Sequence, residues 1–128
     1  MYVKQCLAVA AGGALGTLLR YGINLLLLPT GMPVGTVMEN TAGSFLLGLL
    51  TGWLLTRSVP SWVKAGAGAG FCGGFTTMST LASDTILLSA ESAAAPLLYV
   101  TVSLFGGLCA AAAGMLTGWK LSSREVTS

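Results

Sequence analysis

Four apolar segments, at about 5–28, 34–56, 62–88 and 95–119, take up most of the 128 residues. Each is long enough for the roughly 20 residues that an α-helix needs to cross the hydrocarbon core of a bilayer. The joints between them are short and contain polar residues or proline. Only 8% of the residues are charged, whereas soluble domains carry about 25%. We therefore predict an all-α membrane protein with four transmembrane helices in a single domain, residues 1–128.

The residue types present exclude several classes of function. The chain has no histidine, and no two acidic residues are spaced for hydrolysis, which argues against an enzyme. Cys6, Cys72 and Cys109 are far apart in apolar surroundings, and we interpret them as small packing residues. The six Lys and Arg residues are scattered and do not form one basic stripe, which argues against a nucleic-acid partner.

Residues 70–81, GFCGGFTTMSTL, lie in the third segment but are poorly suited to a continuous helix. The pair Gly73 and Gly74 weakens helical structure, and a dense run of hydroxyl groups follows at Thr76, Thr77, Ser79 and Thr80. Irregular backbone at membrane depth occurs only where it is buried in protein or lines a water-filled cavity. The pattern predicts that the third helix is broken between Gly73 and Thr77, beside a path for an ion or another polar substrate.

Polar residues in the first two segments are candidates for the same path. Arg20 lies inside the first segment, where insertion scales assign an arginine about 2.5–3.5 kcal/mol, so it either reaches the interface or draws anions into an aqueous vestibule. Asn40 shares a small, polar helical face with Thr36, Gly43, Ser44 and Gly48, and its amide either donates to an anion or joins two helices. Glu39 points away from that face and requires a base, water or a proton.

In the fourth segment, Tyr99, Ser103 and Gly107 follow one helical stripe. Tyr99 either lines the path or anchors the helix at the membrane interface. In the first segment Gly12 and Gly16 form a GxxxG pair, and residues 65–70 read AGAGAG. Both stretches predict close helix crossings.

Four motifs follow one another along the chain: GGALGTLLRY at 12–21, GTVMENTAGSF at 35–45, GFCGGFTTMSTL at 70–81, and the Tyr99, Ser103 and Gly107 stripe that continues to Gly114. Their order and spacing resemble the Fluc (CrcB) family of small fluoride channels, and the resemblance runs through all four segments. It is far more specific than any one of the motifs.

The resemblance implies an antiparallel dual-topology dimer that exports cytoplasmic fluoride passively through two narrow pores at the subunit interface. It implies one buried Na⁺ between the subunits, bound by the backbone carbonyls of Gly73 and Thr76, since carbonyl oxygens suit a hard cation. Fluoride is strongly hydrated, so a pore must replace its water with hydrogen-bond donors. The residues that the resemblance assigns to the fluoride pathway are Arg20, Asn40, Met78, Ser79, Thr80, Leu81, Tyr99 and Ser103.

The chain departs from the family pattern where the anion would be contacted. Met78 and Leu81 stand at the positions of the family's two pore phenylalanines, and neither side chain has the positive edge of an aromatic ring. Ala82 replaces a serine, and Asp84 is a shorter form of the family's acid. The part of the motif assigned to Na⁺ is thus intact, whereas the part assigned to fluoride is altered.

Basic residues are distributed unevenly between the two sides of the predicted bundle. With the N-terminus in the cytoplasm, the cytoplasmic side carries Lys4, Arg57, Lys64, Lys120 and Arg124, and the two outer loops carry no Lys or Arg. A dual-topology homodimer requires almost no such bias. We therefore predict a cytoplasmic N-terminus, a single orientation, and an antiparallel heterodimer with a paralogue. The alternatives are a homodimer with altered ion selectivity and a non-conducting scaffold subunit.

Overall fold

The structure, a computed structural model, describes residues 2–27 and 33–126, with side chains described up to residue 124. Within these ranges all regular structure is helical and no strand is present. The helices are α1 (Tyr2–Leu27), α2 (Val34–Leu54), α3 (Ser61–Ala65), a π-helical segment (Gly66–Cys72), α4 (Gly73–Phe75), α5 (Ser79–Ser89) and α6 (Ala95–Val126).

Helices occur at all four predicted segments, and the all-α fold is confirmed for the part of the chain described. The third segment is composite and runs without a gap from α3 through the π-helical segment into α4, followed by α5 after the break. The predicted end of the first segment at residue 28 and the joint at residues 30–32 lie outside the described residues. By length and hydropathy alone, Tyr2–Leu27 and Ala95–Arg124 qualify as membrane spans.

Helices α2 and α6 run parallel and pack backbone against backbone through two pairs of glycines. A Cβ atom at Gly48 or Gly52 of α2 would overlap the carbonyl oxygen of Ala111 or Met115 in α6. Reciprocally, Gly114 and Gly118 of α6 lie against the backbone of α2. Only glycine permits this approach, which accounts for two further GxxxG pairs that the sequence did not single out.

Helix α1 packs in the same way against the first half of the third segment. The predicted GxxxG pair is at this crossing: a Cβ atom at Gly12 would overlap the carbonyl oxygen of Gly66, and one at Gly16 that of Phe71. Helix α1 thus runs parallel to the third segment, and α2 runs parallel to α6. This is the arrangement expected when four successive spans alternate in direction.

The predicted break of the third helix is confirmed, and it covers residues 76–78. Gly73 and Gly74 remain helical in α4, where the absence of a side chain at Gly74 lets the backbone of Gly13 approach. The glycine pair thus serves helix packing. The chain leaves the helix at Thr76, whose backbone is extended at φ −83° and ψ 158°.

Candidate functional site

The side chain of Asn40 stabilises the non-helical backbone at the break. Its Oδ1 atom accepts a hydrogen bond of 2.7 Å from the backbone N–H of Thr77, and its Nδ2 atom donates one of 2.8 Å to the carbonyl of the same residue. One amide therefore satisfies both backbone groups of a residue outside regular structure. Buried backbone groups need such partners, and more so in a bilayer. The second Nδ2 hydrogen is not needed by Thr77.

The hydroxyl of Thr77 organises the run of hydroxyl groups that follows. Its Oγ1 atom accepts a hydrogen bond of 3.2 Å from the backbone N–H of Thr80, which stabilises the start of α5 as an N-terminal cap does. It also lies 3.2 Å from Oγ of Ser79 and 3.0 Å from Oγ1 of Thr80. The three side chains form one connected cluster, with Thr77 buried, Thr80 partly buried and Ser79 exposed.

The carbonyls of Gly73 and Thr76 lose their normal helical partners in this arrangement. The amide four residues after Gly73 is that of Thr77, which donates to Asn40. The amide four residues after Thr76 is that of Thr80, which donates to the Thr77 hydroxyl. Both carbonyl oxygens are thereby released from the helical pattern, and such oxygens suit a hard cation. Within 2–27 and 33–124, His, Cys, Asp and Glu side chains do not form a group of three that could bind a metal.

A cavity of about 640 Å³ lies beside the break, between α2, the third segment and α6. Polar or small residues of α2 and α6 line it, among them Ser44 and Gly107. It brings together six of the residues singled out in the sequence: Asn40, Gly73, Thr76, Met78, Leu81 and Ser103. These six residues, which the sequence placed in separate motifs, thus border one space.

The hydroxyl of Ser103 is a buried polar group in the lining of this cavity. Its side chain is 6% exposed, and its Oγ atom has no hydrogen-bond partner among the described residues. A buried hydroxyl left unsatisfied costs roughly 1–3 kcal/mol. Such a group is suited to donate to a ligand in the cavity.

Met78 and Leu81, the two apolar residues assigned to the path, face in different directions. Leu81 is 6% exposed and points into the protein, whereas Met78 is 71% exposed at the edge of the cavity. Met78 immediately precedes α5 and Leu81 lies in its first turn. In this chain the two side chains do not form a matched pair.

Tyr99 lies outside the cavity, although it is one helical turn from Ser103. Its hydroxyl donates to Oδ2 of Asp84 at 2.8 Å and lies 3.3 Å from the carbonyl of Pro33. The same Oδ2 atom accepts from the hydroxyl of Thr36 at 2.7 Å. Asp84 and Thr36 also line a second cavity of about 310 Å³, together with Asn24, Thr80 and Glu91.

Three residues organise the site in ways that were not predicted from the sequence: Thr77, Thr36 and Asp84. For Thr77 a signal was present, because a threonine three residues before Thr80, at the start of a helix, is typical of a cap. The contact of Thr36 with Asp84 spans 48 positions and has no local signal.

Arg20 and Glu39 are apart from both cavities. Arg20 is partly buried, and its Nε atom has no hydrogen-bond partner in the described part of the chain. Glu39 is completely buried, with Arg20 as the neighbouring positive charge. The vestibule predicted at Arg20 is thus not one of these two spaces.

Comparisons of the sequence with family models and with known proteins point to the same family. The family model described as CrcB-like protein, Camphor Resistance (CrcB), matches residues 7–115. The chain is 49% identical over 123 residues to the fluoride-specific ion channel FluC 2 of Halalkalibacterium halodurans, covering 96% of this chain and 92% of that protein. It is 44% identical over 115 residues to FluC 2 of Bacillus subtilis, covering 90% and 88% of the two chains. With the fluoride-specific ion channel FluC of Methanopyrus kandleri it shares 43% identity over 115 residues, or 88% and 87% of the two chains.

Proposed function

This chain belongs to the CrcB family, and on that premise we propose that it is a subunit of a membrane channel through which fluoride leaves the cytoplasm passively. The relatives named above are fluoride-specific ion channels, so the family consists of channels and not of enzymes. All four helical segments cross the membrane in this proposal, within one domain whose N-terminus is cytoplasmic.

The observation that carries the proposal is the unsatisfied hydroxyl of Ser103 in the cavity beside the break. Fluoride must exchange its water for donors, and Ser103 offers an O–H while Asn40 offers its second amide hydrogen. Neither residue carries a charge, so the anion is solvated without being trapped. Leu81 and neighbouring aliphatic side chains make much of the remaining lining apolar, so the ion depends on these few donors.

From the cavity, the pathway continues along the hydroxyl cluster of the break. Thr77 joins the cavity to Thr80 and Ser79, and Thr80 borders the space that contains Asp84, to which Tyr99 donates. Met78 lies at the edge of the cavity and Leu81 in its wall. Arg20 attracts fluoride towards a vestibule at the pore mouth that is neither of these two cavities. Chains of donors at successive steps permit conduction because no single site binds tightly.

A structural Na⁺ at the subunit interface fits the backbone around the break. Gly73 and Thr76 would bind it through carbonyl oxygens, because the amides of Thr77 and Thr80 are directed elsewhere. The ion supplies positive charge that holds two broken helices together.

The functional unit proposed is an antiparallel dimer embedded in lipid. The edge of the cavity is marked by exposed Met78, which a second subunit would cover. The partner is a paralogue in the opposite orientation, because the charge bias favours one orientation for this chain. The numbering of relatives as FluC 2 fits a second family member in the same organism.

Replacing Ser103 by alanine tests the role of the cavity. We expect Ser103→Ala to reduce fluoride efflux from liposomes at least about tenfold, because a hydrogen bond to a charged ion is lost at a cost of roughly 1.5–3 kcal/mol. Thr101→Ala is the matched control, since Thr101 is exposed on the same helix and its hydroxyl donates to Leu97. Efflux is measured with a fluoride electrode, on the complete assembly.

Unchanged efflux in Ser103→Ala would contradict a pathway through this cavity and favour the scaffold alternative, in which only the partner conducts. Equal passage of fluoride and chloride would favour the alternative of altered selectivity. Loss of efflux in both Ser103→Ala and Thr101→Ala would indicate a defect in folding, which the elution profile of the purified protein would reveal.

A further inference from the structure

Glu39 is the most deeply buried ionisable side chain described in this chain. It lies in α2, has no exposed surface, and neither carboxyl oxygen has a hydrogen-bond partner among the described residues. A charged carboxylate without a partner in such a place is strongly destabilising. Burial of this kind requires a proton on the carboxyl group or a counter-charge close by.

Arg20 of α1 is the positive charge near Glu39. Its guanidinium attracts the carboxylate of Glu39, and its Nε atom is buried without a hydrogen bond in the described residues. Asn24 lies beside both groups: its amide donates to the carbonyl of Arg20 at 3.2 Å, and its Oδ1 atom would be 3.1 Å from a Cβ atom at Gly35. Since Gly35 is one turn before Glu39, α1 and α2 meet at this level.

The other charged groups do not provide an alternative partner. Asp84 of α5 repels the carboxylate, and Tyr99 of α6, which also faces it, donates its hydroxyl to Asp84. The remaining basic residues with described side chains are at the opposite end of the bundle, where Gln5 meets Ser61 and Thr56 meets Ser122. They are Lys4, Arg57, Lys64, Lys120 and Arg124.

We propose that Glu39 is the counter-ion of Arg20 within the membrane and that its carboxylate competes with permeating anions for the Arg20 guanidinium. The second half of this statement rests on the function proposed above, in which Arg20 provides positive charge near a pore mouth. Glu39 then determines how much of that charge an entering fluoride ion encounters. Glu39 is thus a positioning residue that acts through Arg20 and does not itself contact the ion.

The pairing is tested by a double-mutant cycle on thermal unfolding of the purified protein in detergent. The variants are Glu39→Gln, Arg20→Gln and the two together, with Arg20→Lys as a variant that keeps the charge. Pairing predicts that the double variant loses less stability than the sum of the single variants, because each single variant leaves the other charge buried alone. Additive losses would overturn the pairing. This readout does not depend on transport.

Competition is tested by the fluoride concentration that gives half-maximal flux through the complete assembly. We expect Glu39→Gln to lower that concentration about fivefold, the lower end of typical coupling between sites, and to change nothing in the Arg20→Gln background. Lys4→Gln removes an exposed charge at the opposite end of the bundle and should have no effect. The same effect in both backgrounds, or none in either, would overturn the competition. A native assembly without fluoride flux overturns the proposed function and the competition together, whereas the stability cycle alone decides the pairing.

Discussion

Single side chains perform several roles at once in this site. Asn40 satisfies two backbone groups of Thr77 with one amide and retains a hydrogen for a ligand. Thr77 in turn caps α5 and links neighbouring hydroxyls. The backbone N–H groups of Thr77 and Thr80 donate to side chains and not to the helical carbonyls. The carbonyl oxygens of Gly73 and Thr76 are therefore available to a ligand. The geometry of the whole break therefore depends on one asparagine in another helix.

Asn40→Leu should destabilise the protein by roughly 2–4 kcal/mol, since it leaves both the N–H and the C=O of Thr77 without their partner. The measurement is thermal unfolding in detergent, compared with Gln5→Leu, which removes an exposed amide that donates to Ser61. Melting of Asn40→Leu at the same temperature as Gln5→Leu would show that Asn40 does not hold the break.

Candidate residues of the site were largely predictable at this scale, but their relations were not. Residue type and position within apolar segments indicated that Asn40, Ser103 and Arg20 require a polar partner or a ligand. Which of them meet is decided by contacts across the bundle, such as Asn40 with Thr77, 37 positions apart. The sequence left the role of Glu39 open, because that role depends on which residues of α1 lie beside it.

Helices of this bundle are held together through glycine rather than through large side chains. The GxxxG pair of α1 could be predicted from the sequence. The glycines at the crossing of α2 and α6 could not be identified in this way, because the chain contains many other glycines. The break was predicted between Gly73 and Thr77 and covers residues 76–78, while Gly73 and Gly74 stay helical because close packing against α1 outweighs the weak helical propensity of glycine. Local propensity identified the correct segment but not the residue at which the helix ends.

Gly48→Val should destabilise the protein by about 1–3 kcal/mol or more, because the new side chain would overlap the backbone of α6 at Ala111. Gly22→Ala is the matched control within a helix, since a Cβ atom there meets nothing within 4 Å. Thermal unfolding of both variants gives the comparison. Equal stability of Gly48→Val and Gly22→Ala would contradict the close crossing of α2 and α6.

At the scale of the whole molecule, charge divides the bundle into two unlike ends. The N-terminus of α1, the C-terminus of α2 and the C-terminus of α6 meet at one end, together with five basic residues. Asp84 and Glu91 are near the other end. This polarity underlies the proposal that the chain inserts in one orientation and pairs with a second, oppositely oriented protein.

Fluoride efflux from liposomes is the measurement that tests the central claim most directly. The chain is reconstituted alone and together with a CrcB paralogue of the opposite charge bias from the same genome, and released fluoride and chloride are recorded. We expect rapid, fluoride-selective efflux from the co-reconstituted pair and little from this chain alone. Efflux from the pair no faster than from empty liposomes would contradict a channel, and equally fast efflux from this chain alone would contradict the need for a partner.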